Sequence, residues 1–238
     1  MRYLPHSLVL LGAVALLAAL SSAAPAADDL AAVYAKIDAA APGFRGFSAD
    51  LKRVKVTPVV PEPDVQTGKA VVRRAKPHEL QMRISFDPPD QQTISADATK
   101  VEIYYPKTNT ILPYELSKSS KPMIEQVMML GWGSTSQDLR NAYDITYGGP
   151  DTVDNHKTAR LVLIAKDKGL AAQIPKFELW IPLEGPNTGV ATQVKIYEKG
   201  GDYTLATYTN MKLGSISESD VKLNAPRNAK REKPTVLK

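Results

Sequence analysis

Between His78 and Phe86 the chain reads HELQMRISF. Leu80, Met82, Ile84 and Phe86 fall at every second position, with Gln81, Arg83 and Ser85 between them. A period of two sends the first set to one face of a β-strand and the second set to the other. One face is dry and one is wet, as in an antiparallel sheet covered on a single side. The same signal recurs along the chain. FSADLKRVKV alternates Phe47, Ala49 and Leu51, and GKAVVRRA, QQTISAD, KVEIYYP (with Ile103) and NTILPYEL follow as a meander. KP, DPPD, DATK and PKTN separate them, and Pro, Asp and Asn are turn chemistry. Later come YDITYGG, ARLVLIAK, KFELWIPL, VATQVKIYEKG and YTLATYTNMKLG, with DNHKT, EGPNTG and GGD at the turns. In KFELWIPL, Phe177, Leu179, Ile181 and Leu183 share one face, as do Val190, Thr192, Val194 and Ile196 in the next strand. The three prolines of TPVVPEPDVQT keep residues 57–67 out of a sheet interior.

These runs amount to roughly ten or eleven strands and two or three helices. Runs of strands with few helices mean an α+β fold or a partly open antiparallel barrel, and exclude a parallel α/β sheet. DDLAAVYAKIDAAAPGF carries Leu30, Val33, Tyr34 and Ile37 at helical spacing, with Asp28 or Asp29 as cap and Pro42-Gly43 as its end. STSQDLRNAY predicts a second short helix, capped by Ser134 or Ser136. Between them KPMIEQVMMLGWG concentrates Met123, Met128 and Met129 ahead of Trp132. On a helical wheel Met123, Val127, Leu130, Ile124 and Met128 form one apolar arc, and Met129 falls on the opposite, polar side. Such a helix either fills the core or covers an apolar cavity. Methionine suits the second role because its unbranched chain adapts to guests of varied shape.

The chain opens with Arg2, an apolar run from Leu8 to Leu20, and a stretch of small residues up to Ala26. That is the pattern of a secretory signal peptide, with cleavage expected after Ala26. The apolar run is too short for a comfortable membrane span of about 20 residues. With no cysteine there is neither a lipidation site nor a disulfide, which fits a periplasmic protein better than a disulfide-stapled secreted domain. Three parts are expected: a signal segment 1–26, one domain 27–226, and a tail 227–238. The domain balances 24 basic against 24 acidic side chains, which excludes a nucleic-acid surface spread over the fold. The tail RNAKREKPTVLK holds five basic residues and one acid, and is expected to be solvated and disordered, with a weak electrostatic attraction to lipid or protein.

Catalytic groups are scarce. His78 and His156 are the only histidines after the signal segment, and neither has a ligand pattern around it. No HExxH, GxSxG, P-loop, EF-hand or GxGxxG motif is present. Ser134 in GWGST lacks the second flanking glycine of a nucleophile elbow. The expectation is a protein with no catalytic residues, no metal and no cofactor.

Two long stretches carry a family resemblance. GFRGFSADL followed by GKAVVRRAKPHELQMRISFDPPDQQTISADATKVEIYYP gives a glycine-started strand, a basic-Pro step, an alternating strand, a Pro turn and a strand ending in tyrosine. KFELWIPLEGPNTGVATQVKIYEKGGDYTLATYTNMKLGSISESDVKLNAP gives the closing part, ending at a proline. In this order the segments resemble the LolA-type periplasmic lipoprotein carriers, a group that includes the receptor LolB and the sensor RseB. The Pro-rich segment 57–67, the basic tail and Val221, where many members have an aromatic residue, depart from the pattern. The resemblance implies a strongly curved, incomplete antiparallel barrel with helices as a lid over an apolar cavity. It implies a periplasmic monomer that binds acyl chains of lipoproteins or lipids and moves them from inner to outer membrane. Partners would be an inner-membrane export complex and an outer-membrane acceptor, with transient membrane contact and no nucleic acid. The alternative is a lipoprotein-sensing regulatory module of the same fold. The lining residues would be Leu80, Met82, Ile84, Phe86, Ile103, Met123, Val127, Met128, Leu130, Trp132, Phe177, Leu179 and Ile181. The carriers also latch their lid with an arginine, a role the local match assigns to neither Arg45 nor Arg53.

Overall fold

The computed structural model describes residues 25–118 and 120–237. The signal segment therefore lies outside the described residues, except that Pro25 and Ala26 begin the first helix. In chain order the elements are α1 (Pro25–Ala40), β1 (Gly46–Val56), β2 (Asp64–Lys76), β3 (Glu79–Phe86), β4 (Gln92–Ala96), β5 (Lys100–Tyr105) and β6 (Thr110–Leu116). They continue with α2 (Lys121–Met128), α3 (Ser136–Ala142), β7 (Tyr143–Val153), β8 (His156–Ala165), α4 (Lys168–Gln173), β9 (Lys176–Pro182), β10 (Gln193–Tyr197), β11 (Tyr203–Leu213), α5 (Glu218–Val221), β12 (Lys230–Arg231) and β13 (Thr235–Leu237).

All the strands join one curved, unclosed sheet in the order β12-β6-β5-β4-β3-β2-β1-β11-β10-β9-β8-β7, with β13 also on β6. Every pairing is antiparallel except those of β12 and β13, which run parallel to β6. The chain thus makes one meander, β1 to β6, breaks it with α2 and α3, and makes a second, β7 to β11. Pairing of β1 with β11 welds the two. The turn between β7 and β8 shows how local chemistry sets the register. Asp154 and Asn155 both take positive φ (49° and 61°), the geometry of a two-residue hairpin turn with the strand twist built in.

Directly paired residues of an antiparallel sheet share a face. Phe47 pairs with Val72, Val72 with Met82, Met82 with Ala96, and Ala96 with Val101. That series defines the inner face. In the second meander the inner face carries Leu161, Leu163, Phe177, Leu179, Ile181 and Val194. The core sits on this face and is closed by Val33 and Ile37 of α1 and Leu139 of α3. At its centre Trp132 stands edge-on to Phe47 and Tyr208, with ring centroids 5.3 and 5.2 Å away. Its indole Nε1 donates to the carbonyl of Ala191 at 3.0 Å. Burying the polar end of a Trp requires such a partner.

One glycine fixes how α1 seats against the second meander. Gly189 has φ +79°, and a Cβ there would stand 2.2 Å from the carbonyl oxygen of Lys36. Gly189→Ala is expected to destabilise the fold by about 2–3 kcal/mol, from backbone strain and the clash together. Equilibrium denaturation checks this; a loss below about 0.5 kcal/mol would mean that α1 does not rest on this loop.

The alternating segments are strands as expected, and several boundaries differ. There are 13 strands, and five α-helices among the described residues. β2 starts at Asp64, so the Pro-rich loop ends at Pro63; the last proline precedes the strand, and nothing after it forbids pairing. α3 is capped by Thr135, whose side chain accepts from the Asp138 N–H while Asp138 reaches back in a capping box. Parts of the tail pair with the sheet. Residues 230–231 and 235–237 pair with β6, because an unpaired sheet edge offers free N–H and C=O groups to any extended segment nearby.

Candidate functional site

The inner face is sealed at one end and open at the other. On β8, β9 and β10 it is dry: Phe177, Leu179 and Ile181 are 0% exposed. On β3 to β6 the apolar series Met82, Ile84, Ile94, Val101, Ile103 and Leu112 is only half-buried. Register places Ile84, Ile94, Ile103 and Leu112 side by side across four strands, one continuous apolar strip. The outer sides of β3 and β4 are polar (Arg83, Ser85, Thr93, Ser95). The inner strip is therefore an apolar surface only partly covered by the rest of the chain.

The partial cover is α2, which meets β3. Pro122 in its first turn suits a helix start, where its missing N–H goes unused. Met123, Ile124 and Val127 are half-buried and pack toward the core, while Met128, Met129 and Leu130 are buried. The wheel misplaces Met129. The α-helix ends at Met128 and Met129 is its C-cap (φ −76°, ψ −3°), so a wheel angle of 100° per residue no longer applies. Met129 turns inward and lines a cavity of about 200 Å³ with Leu139 and Tyr143. Burial pushes the Tyr143 hydroxyl up to about 12, only partly offset by the side chain of Gln126, and the hydroxyl donates to the Gln126 backbone carbonyl at 3.4 Å.

The exit from α2 is held by Arg74, a residue the alternation pattern does not single out. Arg74 ends the inward series Gly68, Ala70, Val72 on β2. Its Nη1 donates to the carbonyls of Ala41 (3.0 Å) and Phe44 (3.4 Å), just beyond α1, and its Nη2 donates to the carbonyl of Gly133, just beyond α2. The guanidinium also stacks 5.5 Å from the Phe44 ring centroid. Desolvation and then the neighbouring Arg45 lower its pKa, against a smaller opposing effect of Asp138. The fork geometry of arginine allows one side chain to clasp carbonyls from two segments. Gly133 itself has φ +74°, and a Cβ there would collide with the guanidinium. Arg45 donates to carbonyls of its own turn, Pro42 and Phe44. Arg53 pairs with Asp64 at 3.3 Å and lies over Phe86. A charged residue closing an apolar inward series is the sequence signal that marks Arg74.

The thirteen residues expected to line a cavity fall into two groups. Leu80, Phe86, Met128, Leu130, Trp132, Phe177, Leu179 and Ile181 are buried in the core. Met82, Ile84, Ile103, Met123 and Val127 are half-buried on or beside the open strip. Of the polar residues considered for chemistry, His78 and His156 are exposed, and the hydroxyl of buried Ser134 donates to the Met129 carbonyl at 2.7 Å. No group of three potential metal ligands occurs among the described residues, and no described helix is long and apolar enough to cross a membrane.

No protein-family model matches the chain, and no curated protein matches its sequence. Its fold is similar to that of 74 solved chains. An uncharacterized conserved protein from Thermus thermophilus aligns with a TM-score of 0.49 at 12% identity, over 88% of this chain and 98% of that one. A LolA superfamily protein from Nitrosomonas europaea aligns at 0.42 and 12%, over 81% and 97%. LprF from Mycobacterium bovis aligns at 0.44 and 11%, over 86% and 99%.

Proposed function

We propose that this protein is a periplasmic carrier that takes up acyl chains of lipoproteins or lipids on the inner face of β3–β6, beneath α2, and moves them from inner to outer membrane. The observation that carries the reading is the half-buried apolar strip Ile84–Ile94–Ile103–Leu112, next to a core that is otherwise sealed. An acyl chain gains about 0.8 kcal/mol per buried methylene, so a partly covered apolar trough is a favourable place for it. Met82, Met123 and Val127 flank the strip with adaptable or small side chains, which favours release as well as uptake. Arg74 adds one tie at the exit of α2, its bond to the Gly133 carbonyl, beside the Ala191 N–H on the Gly131 carbonyl and Ser136 on Asp38, and breaking it loosens that exit without disturbing the strand register.

The test is binding of a fluorescent fatty acid or a synthetic diacylated peptide to the purified protein. Saturable binding is expected. Ile103→Asp and Met123→Glu, both at half-buried positions, are expected to weaken it by about tenfold or more, since each buries a charge against the chain. Their thermal midpoints should move little. A folded wild-type protein that takes up neither probe sinks the proposal.

A further inference from the structure

The outer side of the sheet carries a second arrangement, built from the basic tail. After α5 the chain crosses the outer face of β3 and β4. The Val221 carbonyl accepts from the Ser95 hydroxyl at 2.8 Å, and the Lys222 carbonyl from Arg83 at 3.5 Å. The tail then reaches the β6 edge, where Asn109 Nδ2 donates to the Asn228 carbonyl and the Lys230 N–H to the Asn109 carbonyl. Lys230 and Arg231 pair with Thr110 and Ile111, and Thr235 to Leu237 pair with Tyr114 to Leu116. A cavity of about 470 Å³ remains between this strap and the sheet.

Glu102 explains why the strap is basic. It lies on the outer face of β5 and is only 7% exposed. Arg231 Nη1 sits 2.5 Å from one carboxylate oxygen and Lys100 Nζ 2.9 Å from the other. Burial alone would push the carboxyl up, but Arg231 and Lys100 outweigh it and hold it below the usual range. A buried carboxylate needs its cations, and one of the two arrives only with the tail. The strap's remaining hold is slight. Its paired residues run parallel to β6 in two short pieces, Pro234 between them has no N–H to give, and Lys230, Arg231, Thr235 and Val236 are exposed.

We propose that the β6 edge, with Glu102 beside it, is a docking edge for an extended cationic segment of a partner protein, and that residues 227–237 occupy it in cis. An incoming strand would run parallel to β6 and bring an Arg or Lys to Glu102, adding itself to the sheet by backbone pairing. The inference does not rest on the acyl-chain reading.

The probe is a synthetic peptide of residues 227–238, added to the chain lacking those residues. Saturable binding is expected, weakening as salt rises. The same peptide carrying Arg231→Ala should bind at least about tenfold more weakly, since it leaves Glu102 short of a partner. The full-length protein should not bind the peptide appreciably, because its own tail fills the edge. If the truncated chain does not fold, full-length protein with Arg231→Ala and Val236→Asp provides a loosened tail for the same titration. A folded acceptor that ignores the peptide overturns the proposal. So does equal binding of the Arg231→Ala peptide, or equal binding by the intact wild-type chain.

Discussion

Trp132→Ala is expected to remove about 3–5 kcal/mol of stability, the range for losing a buried aromatic side chain from a packed core. The ring is 6% exposed and is wedged between Phe47 and Tyr208. Its neighbours belong to β1 and β11, the pair that welds the two meanders, so the vacated space cannot close by moving one loop. Trp132→Phe keeps most of the ring and loses the N–H to Ala191, and should cost only about 1–2 kcal/mol. Chemical denaturation of both variants separates packing from hydrogen bonding. Equal losses in the two would show that the carbonyl of Ala191, rather than the aromatic cluster, is what matters.

Arg74→Ala is expected to lower stability by about 2–4 kcal/mol, because charge-assisted bonds to carbonyls of two segments disappear together. The effect should be local as well as global. Without the clasp, the α2 exit loses its tie from Gly133 to the end of α1 and keeps only the bonds of Ser136 to Asp38 three residues on. Apolar dye binding should therefore rise in Arg74→Ala under conditions where the far-ultraviolet circular dichroism is unchanged. Arg74→Lys should recover only part of the loss, since an ammonium group cannot present the same planar fork. If Arg74→Ala melts like the wild type and takes up no more dye, the residue is not a latch.

The strand pattern is legible because a half-covered sheet writes its burial into every second residue. In HELQMRISF and KFELWIPL the alternate apolar residues share a face, as the pairing of Val72 with Met82 and of Leu179 with Val194 shows, though in β9 the other face, with Glu178 and Trp180, is buried too. Short helices are harder. α4 and α5 span six and four residues, too few for a period of 3.6 to show. Their start signals, Asp167 and Ser217, look like ordinary turn residues until the hydrogen bonds are seen. The pairing of the tail is not legible in its charge, because nothing local reveals that Arg231 meets Glu102, 129 residues earlier.

The site shows the same division. Alternation marks Leu80, Met82, Ile84 and Phe86 as one face, and it cannot say which of them the fold will cover. The structure decides: Leu80 and Phe86 go into the core, while Met82 and Ile84 stay half-open.

What the sequence determined by itself was the period of each segment, and with it an antiparallel sheet with one apolar face, because a strand's side-chain alternation is a local property of the backbone. What only the tertiary structure decided was the closure. The clasp of Arg74 on Ala41 and Gly133, the open strip over β3–β6, and the strap on Glu102 all join residues far apart in the chain. Contacts of that kind depend on how a curved sheet brings its distant parts together, and no local pattern encodes the curvature.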